Sequence, residues 1–381
     1  MKVDEMNKKV LLEQYSLGKG ITLRNRIVMA PMTTWSGNDD GTVSDEEETY
    51  YRLRVKDIGL VITGCTHVQE NGIGFTGEFA AYDDKFIPSL QRLASAAKSG
   101  GAPAILQIFH AGVKTSPELV SDIVAASPVA GDAGPSAPSV IPRELADHEI
   151  EAIVKAFGDA TRRAIEAGFD GVELHGAHGF LLQNFFSPHF NQRNDRWGGS
   201  LTNRMRFPLA VIKEVRKIIA EHAIAPFLLG YRITLDESHL EDGLRIGESL
   251  KLVDNLIIGG IDYLHVSLGN ALEARPVDAP NGPTIIEIMR DHLADRIPFI
   301  AAGQIKTPDH AAAAIEAGLS LAAVGQGLVL NPDWVQFVSD EARGSIALDI
   351  SASDVKQLAI PHKLWDVIDT TTGWFNVRHT E

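Results

Sequence analysis

The sequence predicts an α/β protein in which eight parallel strands close into a (β/α)8 barrel, also called a TIM barrel. Eight short apolar runs recur along the chain, and amphipathic helical stretches such as residues 147–168 and 203–222 lie between them. Such alternation is typical of a parallel sheet whose faces are both buried. The eight runs are residues 26–31, 58–64, 103–109, 170–175, 226–233, 261–267, 297–303 and 321–327.

A doubly wound sheet is the structural alternative. That fold would place a glycine fingerprint for dinucleotides directly after its first strand. The first apolar run instead leads into "MAPMTTWSG", which lacks that glycine spacing. The sequence therefore favours the barrel.

Shorter elements are expected on either side of the barrel. Residues 10–25 predict a short hairpin with two glycines at its turn. The barrel itself is expected over about residues 24–340, followed by a helix and an irregular end over about 346–381. We expect the whole chain, residues 1–381, to form one domain.

One long connection interrupts the strand–helix alternation. Residues 127–145, between strands three and four, are too rich in glycine and proline to form a helix. A linker and an active-site loop fit this composition equally well, because barrel enzymes elaborate the loops of one face.

The composition excludes several classes of function. The 381-residue chain has a formal net charge of −15, which argues against binding to nucleic acid or to anionic membrane surfaces. Cys65 is the only cysteine, so no internal disulfide, iron–sulfur cluster or cysteine-based zinc site can form. The N-terminal stretch does not resemble a signal peptide, and no run approaches about 18 apolar residues. We therefore expect a cytoplasmic protein that does not enter the membrane.

Polar residues stand where the predicted strands end. In a barrel these ends form the face that carries the chemistry. Six strands end in hydrogen-bonding side chains and the last two in glycines, whose bare N–H groups suit a phosphate but also permit ordinary tight turns. The residues at the ends are Thr33, Cys65, Gln107, His110, His175, His178, Arg232, Ser267, Gly303 and Gly325.

Two of these residues are histidines only three positions apart. His175 and His178 follow the fourth strand and could be metal ligands, a clamp for a substrate, or simply a polar strand end. A metal site would require a third ligand, and none stands at ligand spacing in the sequence. A substrate clamp is the favoured interpretation.

Several motifs together resemble the Old Yellow Enzyme family of flavin-dependent NAD(P)H oxidoreductases. They are "APMTT" after strand one, "ILQIFHAG" at strand three, "GVELHGAHGFLLQNFFSP" at strand four, "GYRI" at strand five and "AAVGQGLVLNPDW" at strand eight. The resemblance covers roughly residues 8–340 and implies a barrel that binds FMN and takes hydride from NADH or NADPH. Larger relatives add an iron–sulfur cluster, which this chain lacks the cysteines to bind, so it resembles the short form.

The resemblance also implies which residues meet the cofactor. Thr33 and Gln107 match positions that hydrogen-bond the edge of the flavin ring, and Arg232 matches a cation that stabilises the reduced flavin. An ion pair with Asp236 is the alternative role for Arg232. The expected cofactor-binding residues are Ala30, Pro31, Met32, Thr33, Cys65, Gln107, Arg232, Gly303, Gly325 and Gln326.

The substrate is expected on the face of the flavin covered by the histidine pair. His175 and His178, the implied catalytic residues, would donate hydrogen bonds to the oxygen of an enone, phenol or quinone, where negative charge develops as hydride arrives. Trp35 and Phe180 are expected to line the same substrate site.

Two positions depart from the family pattern. Phe180 stands where the family usually has a tyrosine that protonates the substrate, and Gln326 stands where the family has an arginine at the FMN phosphate. We therefore expect quinones to be reduced faster than simple enones.

Other questions stay open at the level of sequence. The expected partner is a small-molecule substrate, and the sequence leaves its identity, the choice of NADH or NADPH, and the formation of a homo-oligomer undecided. A flavin-binding protein with little turnover and a metal-dependent barrel hydrolase using His175 and His178 are the alternative functions.

Overall fold

The computed structural model describes residues 8–132, 139–338 and 345–378 and contains the predicted barrel. Eight parallel strands coincide with the eight predicted apolar runs, and only the fourth extends beyond its run, by one residue to Gly176. They are Ile27–Met29, Leu60–Ile62, Ala104–Phe109, Gly171–Gly176, Leu228–Ile233, Tyr263–Ser267, Phe299–Ala302 and Leu321–Val324. The eighth strand pairs with the first and the third with the fourth, so the sheet closes. The predicted (β/α)8 fold is confirmed.

The strands are apolar because both of their faces are buried. Inside the barrel, inward-facing side chains of the strands pack into a cluster that is closed to solvent. The predicted hairpin is present, with Tyr15–Gly18 antiparallel to Ile21–Leu23, and its Leu17 and Leu23 pack into that cluster. The hairpin therefore plugs the amino-terminal end of the barrel and leaves the opposite end for the chemistry.

Amphipathic helices cover the outside of the barrel. The two longest, Asp147–Glu166 and Arg206–His222, each bury one apolar face, and Thr284 begins the helix Ile285–Leu293 with a capping box. The α-helices in the described part of the chain are Asp45–Arg54, Ile87–Ala97, Asp147–Glu166, Leu181–Phe186, Leu201–Arg204, Arg206–His222, Ile246–Ile258, Ile285–Leu293, Pro308–Ala317, Gln326–Leu330 and His362–Thr370. No helix within the described ranges is long and apolar enough to cross a membrane.

The connection between strands three and four is fastened at both of its ends. The two-residue strands Val124–Ala125 and Arg143–Glu144 pair in parallel, and the Arg193 guanidinium donates to the carbonyl oxygens of both Ala126 (2.9 Å) and Leu145 (2.8 Å). Residues 133–138 of the predicted loop lie outside the described residues.

The C-terminal extension returns to the barrel. Its helix His362–Thr370 is followed by an irregular stretch, as predicted. Arg54 donates to the carbonyl of Leu358 (2.6 Å), and Ile350 forms a β-bridge with Val377. These contacts place residues 371–374 over the carboxyl ends of the barrel strands, where they join the cavities described below.

Candidate active site

Two adjoining cavities lie at the carboxyl ends of the strands. The larger, of about 550 Å³, is lined by Pro31, Met32, Thr33, Trp35, Cys65, Phe75, Gln107, His175, His178, Phe180, Arg232, Val367 and Thr371–Trp374. The smaller, of about 260 Å³, includes Ala30, Gly303, Lys306, Gly325 and Gln326. Pro31, Met32, Arg232 and Trp374 border both cavities. Every cofactor-binding, catalytic and substrate-lining residue implied by the family resemblance therefore lines one cavity or both.

Arg232 projects from the fifth barrel strand between the two cavities. It is buried, and its Nη2 donates to the Ser267 hydroxyl at 3.1 Å. The alternative partner, Asp236, instead accepts from the backbone N–H of Val277 and lies 3.7 Å from Arg245. Arg232 therefore does not form the alternative ion pair with Asp236.

The two histidines form one corner of the larger cavity. Their rings lie 4.9 Å apart, and His178 has a left-handed backbone conformation (φ 61°) that turns its side chain toward the cavity. His178 Nε2 lies 2.6 Å from the Ser267 hydroxyl. Because Arg232 can only donate to that hydroxyl, the Ser267 hydrogen can point to His178 Nε2, an arrangement that places the His178 proton on Nδ1.

Both histidines are neutral hydrogen-bonding groups at physiological pH. Burial, with the nearby His178 and Arg232, keeps the pKa of His175 well below its ordinary value. His178 is exposed at the mouth of the cavity, where the surrounding walls, followed by the charge of Arg232, lower its pKa. A neutral imidazole can donate one hydrogen bond without carrying a charge into the site.

Gln107 is held by a carboxylate behind it. Its Nε2 donates to Glu173 Oε1 at 2.7 Å, and Glu173 Oε2 lies 3.0 Å from His265 Nδ1. Glu173 and His265 are fully buried and line neither cavity, whereas Gln107 does.

Cys65 lies beside Gln107 as a small neutral side chain. Its Sγ is 3.4 Å from Gln107 Oε1 and 3.9 Å from the Thr33 hydroxyl. Burial raises the pKa of the Cys65 thiol to about 12, so the thiolate that would make it a nucleophile does not form at neutral pH.

Aromatic rings form the outer wall of the larger cavity. Trp35 lies edge-on to both Phe75 (6.0 Å between centroids) and Trp374 (5.9 Å), and Phe75 lies edge-on to Phe180 (6.2 Å). Phe180 also contacts the His175 ring at 4.8 Å. A flat, apolar ligand fits such a wall.

The smaller cavity has the backbone of a phosphate site. Gly303 has a φ of 153°, and a Cβ there would lie 2.4 Å from the Leu268 carbonyl oxygen, so only glycine fits. Lys306 lines the same cavity. The Gln326 side chain, by contrast, donates to the carbonyl of Trp374 at 2.5 Å.

Sequence reasoning missed several lining residues. Phe75 and the C-terminal residues 371–374 carry no strand-end signal, because they reach the cavity from distant segments. Lys306, three residues beyond Gly303, could have been noticed as a cation near the expected phosphate. His110 was named among the strand ends but lines neither cavity; its Nδ1 accepts from the backbone N–H of Gly112 at 3.0 Å.

Comparison with known proteins gives the family. A family model described as the NADH:flavin oxidoreductase / NADH oxidase family matches residues 11–343. The chain belongs to this family. It is therefore an oxidoreductase with FMN as its cofactor and NADH or NADPH as its reductant, and the alternative of a metal-dependent hydrolase is wrong.

Individual relatives agree with this assignment. The chain is 43% identical to the probable NADH-dependent flavin oxidoreductase YqiG of Bacillus subtilis, over 96% of this chain and 97% of that protein. It is 38% identical, over 93% of its length, to the NADH:fumarate oxidoreductase of Klebsiella pneumoniae but spans only 38% of that protein. A solved old yellow enzyme homologue from Zymomonas mobilis has the same fold, with a TM-score of 0.75 at 22% identity over 92% of this chain and 96% of that one. The resemblance to the Old Yellow Enzyme family is confirmed.

The residues around the two cavities fit FMN. Arg232 Nε and His175 Nδ1 are buried without a hydrogen-bond partner among the described residues, so polar groups there are available to a ligand. The larger cavity could hold the flavin ring against Thr33, Gln107 and Arg232. The smaller one could hold the phosphate against the backbone of Gly303 and Gly325 and the side chain of Lys306. No cluster of metal-ligating side chains occurs within the described part of the chain.

The buried His110 generates a prediction about stability and pH. Burial, then the charge of His67, lowers its pKa to about 3, whereas the unfolded chain takes up this proton near pH 6.5. Between these values the unfolded state binds one proton more, so the free energy of unfolding should fall by about 1.4 kcal/mol per pH unit on acidification because of this residue.

The change His110→Asn, which keeps an acceptor for the Gly112 N–H, should remove that contribution. Urea unfolding at pH 7, 6 and 5 measures the slope, and His222→Asn, at an exposed helix end, is the matched control. Equal slopes in the wild-type protein and His110→Asn would contradict the prediction.

Proposed function

We propose that this enzyme oxidises NADH through FMN and passes the electrons to quinones in preference to simple activated alkenes. NADH is the reductant named for both relatives described above. The preference for quinones rests on one observation: Phe180, an aromatic side chain that has no acidic proton to donate, lies against the histidine pair.

The residues around the ring would prepare FMN for its reaction. Bound FMN supplies the hydride chemistry, accepting a hydride from the nicotinamide and giving it to the acceptor. Arg232 places a buried cation between the two cavities and stabilises the negative charge of the reduced ring. Thr33 and Gln107 hydrogen-bond the polar edge of the ring and set its position in the larger cavity.

The histidine pair would bind the acceptor by its oxygen. His175 and His178 are neutral and adjacent, and each offers one N–H to a carbonyl or phenolic oxygen. The charge that develops on this oxygen as hydride arrives is stabilised by these donors, as in an oxyanion hole. A Ser267 hydroxyl that donates to His178 Nε2 would leave the His178 Nδ1–H for the acceptor.

The proton supply distinguishes the two classes of acceptor. An alkene requires a proton on carbon, which a phenylalanine cannot give. Tyr231, although adjacent to Arg232 in sequence, is buried and lines neither cavity. A quinone takes its protons on oxygen, where a histidine or water can deliver them. The site therefore supports quinone reduction better than alkene reduction.

The outer wall would limit the size of the acceptor. Trp374 is partly buried, lies edge-on to Trp35, and is fastened through its carbonyl to Gln326. A fixed indole at this position leaves room for one flat ring more readily than for two. We propose that the preferred quinones have a single ring.

Replacing Phe180 tests the proton argument. General acid catalysis typically contributes roughly 10²–10⁴-fold, so Phe180→Tyr should raise the rate of cyclohexenone reduction by at least tenfold and change the rate of benzoquinone reduction little. Stopped-flow reoxidation of the NADH-reduced enzyme measures both rates. Fast enone reduction by the wild-type protein, without gain from the added hydroxyl, would show that another group already supplies the proton.

Replacing His178 tests the clamp. His178→Ala should weaken binding of a para-substituted phenol about tenfold, because one hydrogen bond to the ligand oxygen is lost. Titration of the flavin absorbance measures this affinity, and the FMN content should be unchanged because the imidazole faces the acceptor. Loss of FMN with unaltered phenol affinity per bound flavin would refute the assignment, and His222→Ala controls for loss of a surface imidazole.

Replacing Trp374 tests the wall. Trp374→Ala should raise kcat/KM for a two-ring naphthoquinone relative to benzoquinone about tenfold, because the steric limit is removed. Trp365→Ala is the matched control, since Trp365 is also partly buried on the C-terminal segment but lines neither cavity. An unchanged ratio of the two kcat/KM values would place the limit on acceptor size elsewhere.

A further inference from the structure

A fully buried carboxylate lies directly behind the cavity, in the fourth barrel strand. We propose that Glu173 is a positioning residue for FMN, which fixes the atom that Gln107 presents to the flavin and opposes the charge of Arg232, thereby lowering the reduction potential. This inference rests on the binding of FMN in the larger cavity, and it does not depend on which acceptor is reduced.

The contacts of Glu173 use both of its oxygens. Oε1 accepts from Gln107 Nε2 at 2.7 Å, and Oε2 lies 3.0 Å from His265 Nδ1. The carboxylate and the imidazole are both completely shielded from solvent. Hydrogen bonds to a charged group with neither partner exposed are among the stronger ones in proteins, so this arrangement is rigid.

The carboxylate determines the orientation of the Gln107 amide. A carboxylate can only accept, so the amide must turn its Nε2 toward Glu173. Its Oε1 then points the other way, where it lies 3.4 Å from the Cys65 sulfur on the cavity wall. Gln107 therefore presents an acceptor to the cavity, which matches the ring N–H between the two carbonyls of the flavin edge.

The charge of Glu173 persists in the interior. Burial alone would raise the pKa of this carboxyl. The contacts with His265, Arg232 and Gln107 outweigh burial and hold the pKa below its ordinary value, so the group is a carboxylate at neutral pH.

Two buried charges of opposite sign therefore act on the flavin site. Arg232 lies on the cavity wall and favours the negative charge of the reduced flavin, whereas Glu173, one layer behind, disfavours it. The reduction potential of the flavin should therefore reflect the balance between these two opposite charges. Removing the carboxylate charge should make the flavin easier to reduce, and removing the arginine should make it harder to reduce.

The test measures the midpoint potential of the FMN-bound enzyme in dye-coupled reductive titrations. Glu173→Gln should shift the equilibrium between oxidised and reduced flavin about tenfold toward the reduced form, which for two electrons is about 30 mV upward. Arg232→Ala should shift it in the opposite direction. Glu237→Gln, which removes another buried acid that is bonded to Gln183 and Ser187 and lines neither cavity, should leave the potential unchanged.

A second variant separates charge from positioning. Glu173→Asp keeps the carboxylate but is one methylene too short to hold Gln107, so it should raise the dissociation constant of FMN about tenfold while shifting the potential less than Glu173→Gln. An unchanged or lowered potential in folded Glu173→Gln, or wild-type FMN affinity in Glu173→Asp, would overturn the inference. A wild-type protein that binds no FMN would instead refute the cofactor site itself, and an enone preference would refute only the proposed acceptor.

Discussion

Closure of a parallel barrel decides which side chains meet, and the active site depends on that constraint. Successive residues of a strand point alternately inward and outward, and the register between neighbouring strands sets which inward residues face one another. Gln107 is in register with Glu173, and His175 is in register with Arg232. Residues far apart in the chain are thus brought side by side, and Gln107 and Glu173 lie within hydrogen-bonding distance.

This geometry also explains how charges survive inside the barrel. The amino-terminal part of the interior is filled by apolar side chains and sealed by the hairpin. Above it, a buried carboxylate is tolerated because each of its oxygens has a polar partner. The cavity wall keeps unsatisfied polar atoms, Arg232 Nε and His175 Nδ1, and each costs about 1–3 kcal/mol in the absence of a partner. The open end of the barrel is therefore destabilised by these unsatisfied atoms, and a bound ligand that hydrogen-bonds them would offset that free energy.

The sequence predicts the features that local patterns encode. An apolar run followed by a polar residue is visible without a structure, so the eight strands and the end residues Thr33, Gln107, His175 and Arg232 could be identified in advance. Glu173 gave a usable signal, a charge inside an apolar strand, but its partners come from two other strands and could not be assigned. Gln326 and Trp374 are 48 positions apart and share no sequence periodicity, so the sequence could not predict their contact or the outer wall.

The two departures from the family pattern have different structural consequences. At Phe180 a hydroxyl is absent, and Tyr231, the tyrosine next to Arg232 in sequence, lines neither cavity and does not replace it. At Gln326 a charge is absent, but Lys306 lines the same cavity, so a cation is still available for a phosphate. The Gln326 amide instead donates a hydrogen bond to the backbone carbonyl of Trp374, a residue that borders both cavities. The wall proposed to limit the acceptor is therefore held by the same loop that would bind the cofactor phosphate, so a change at position 326 should alter cofactor affinity and acceptor size together.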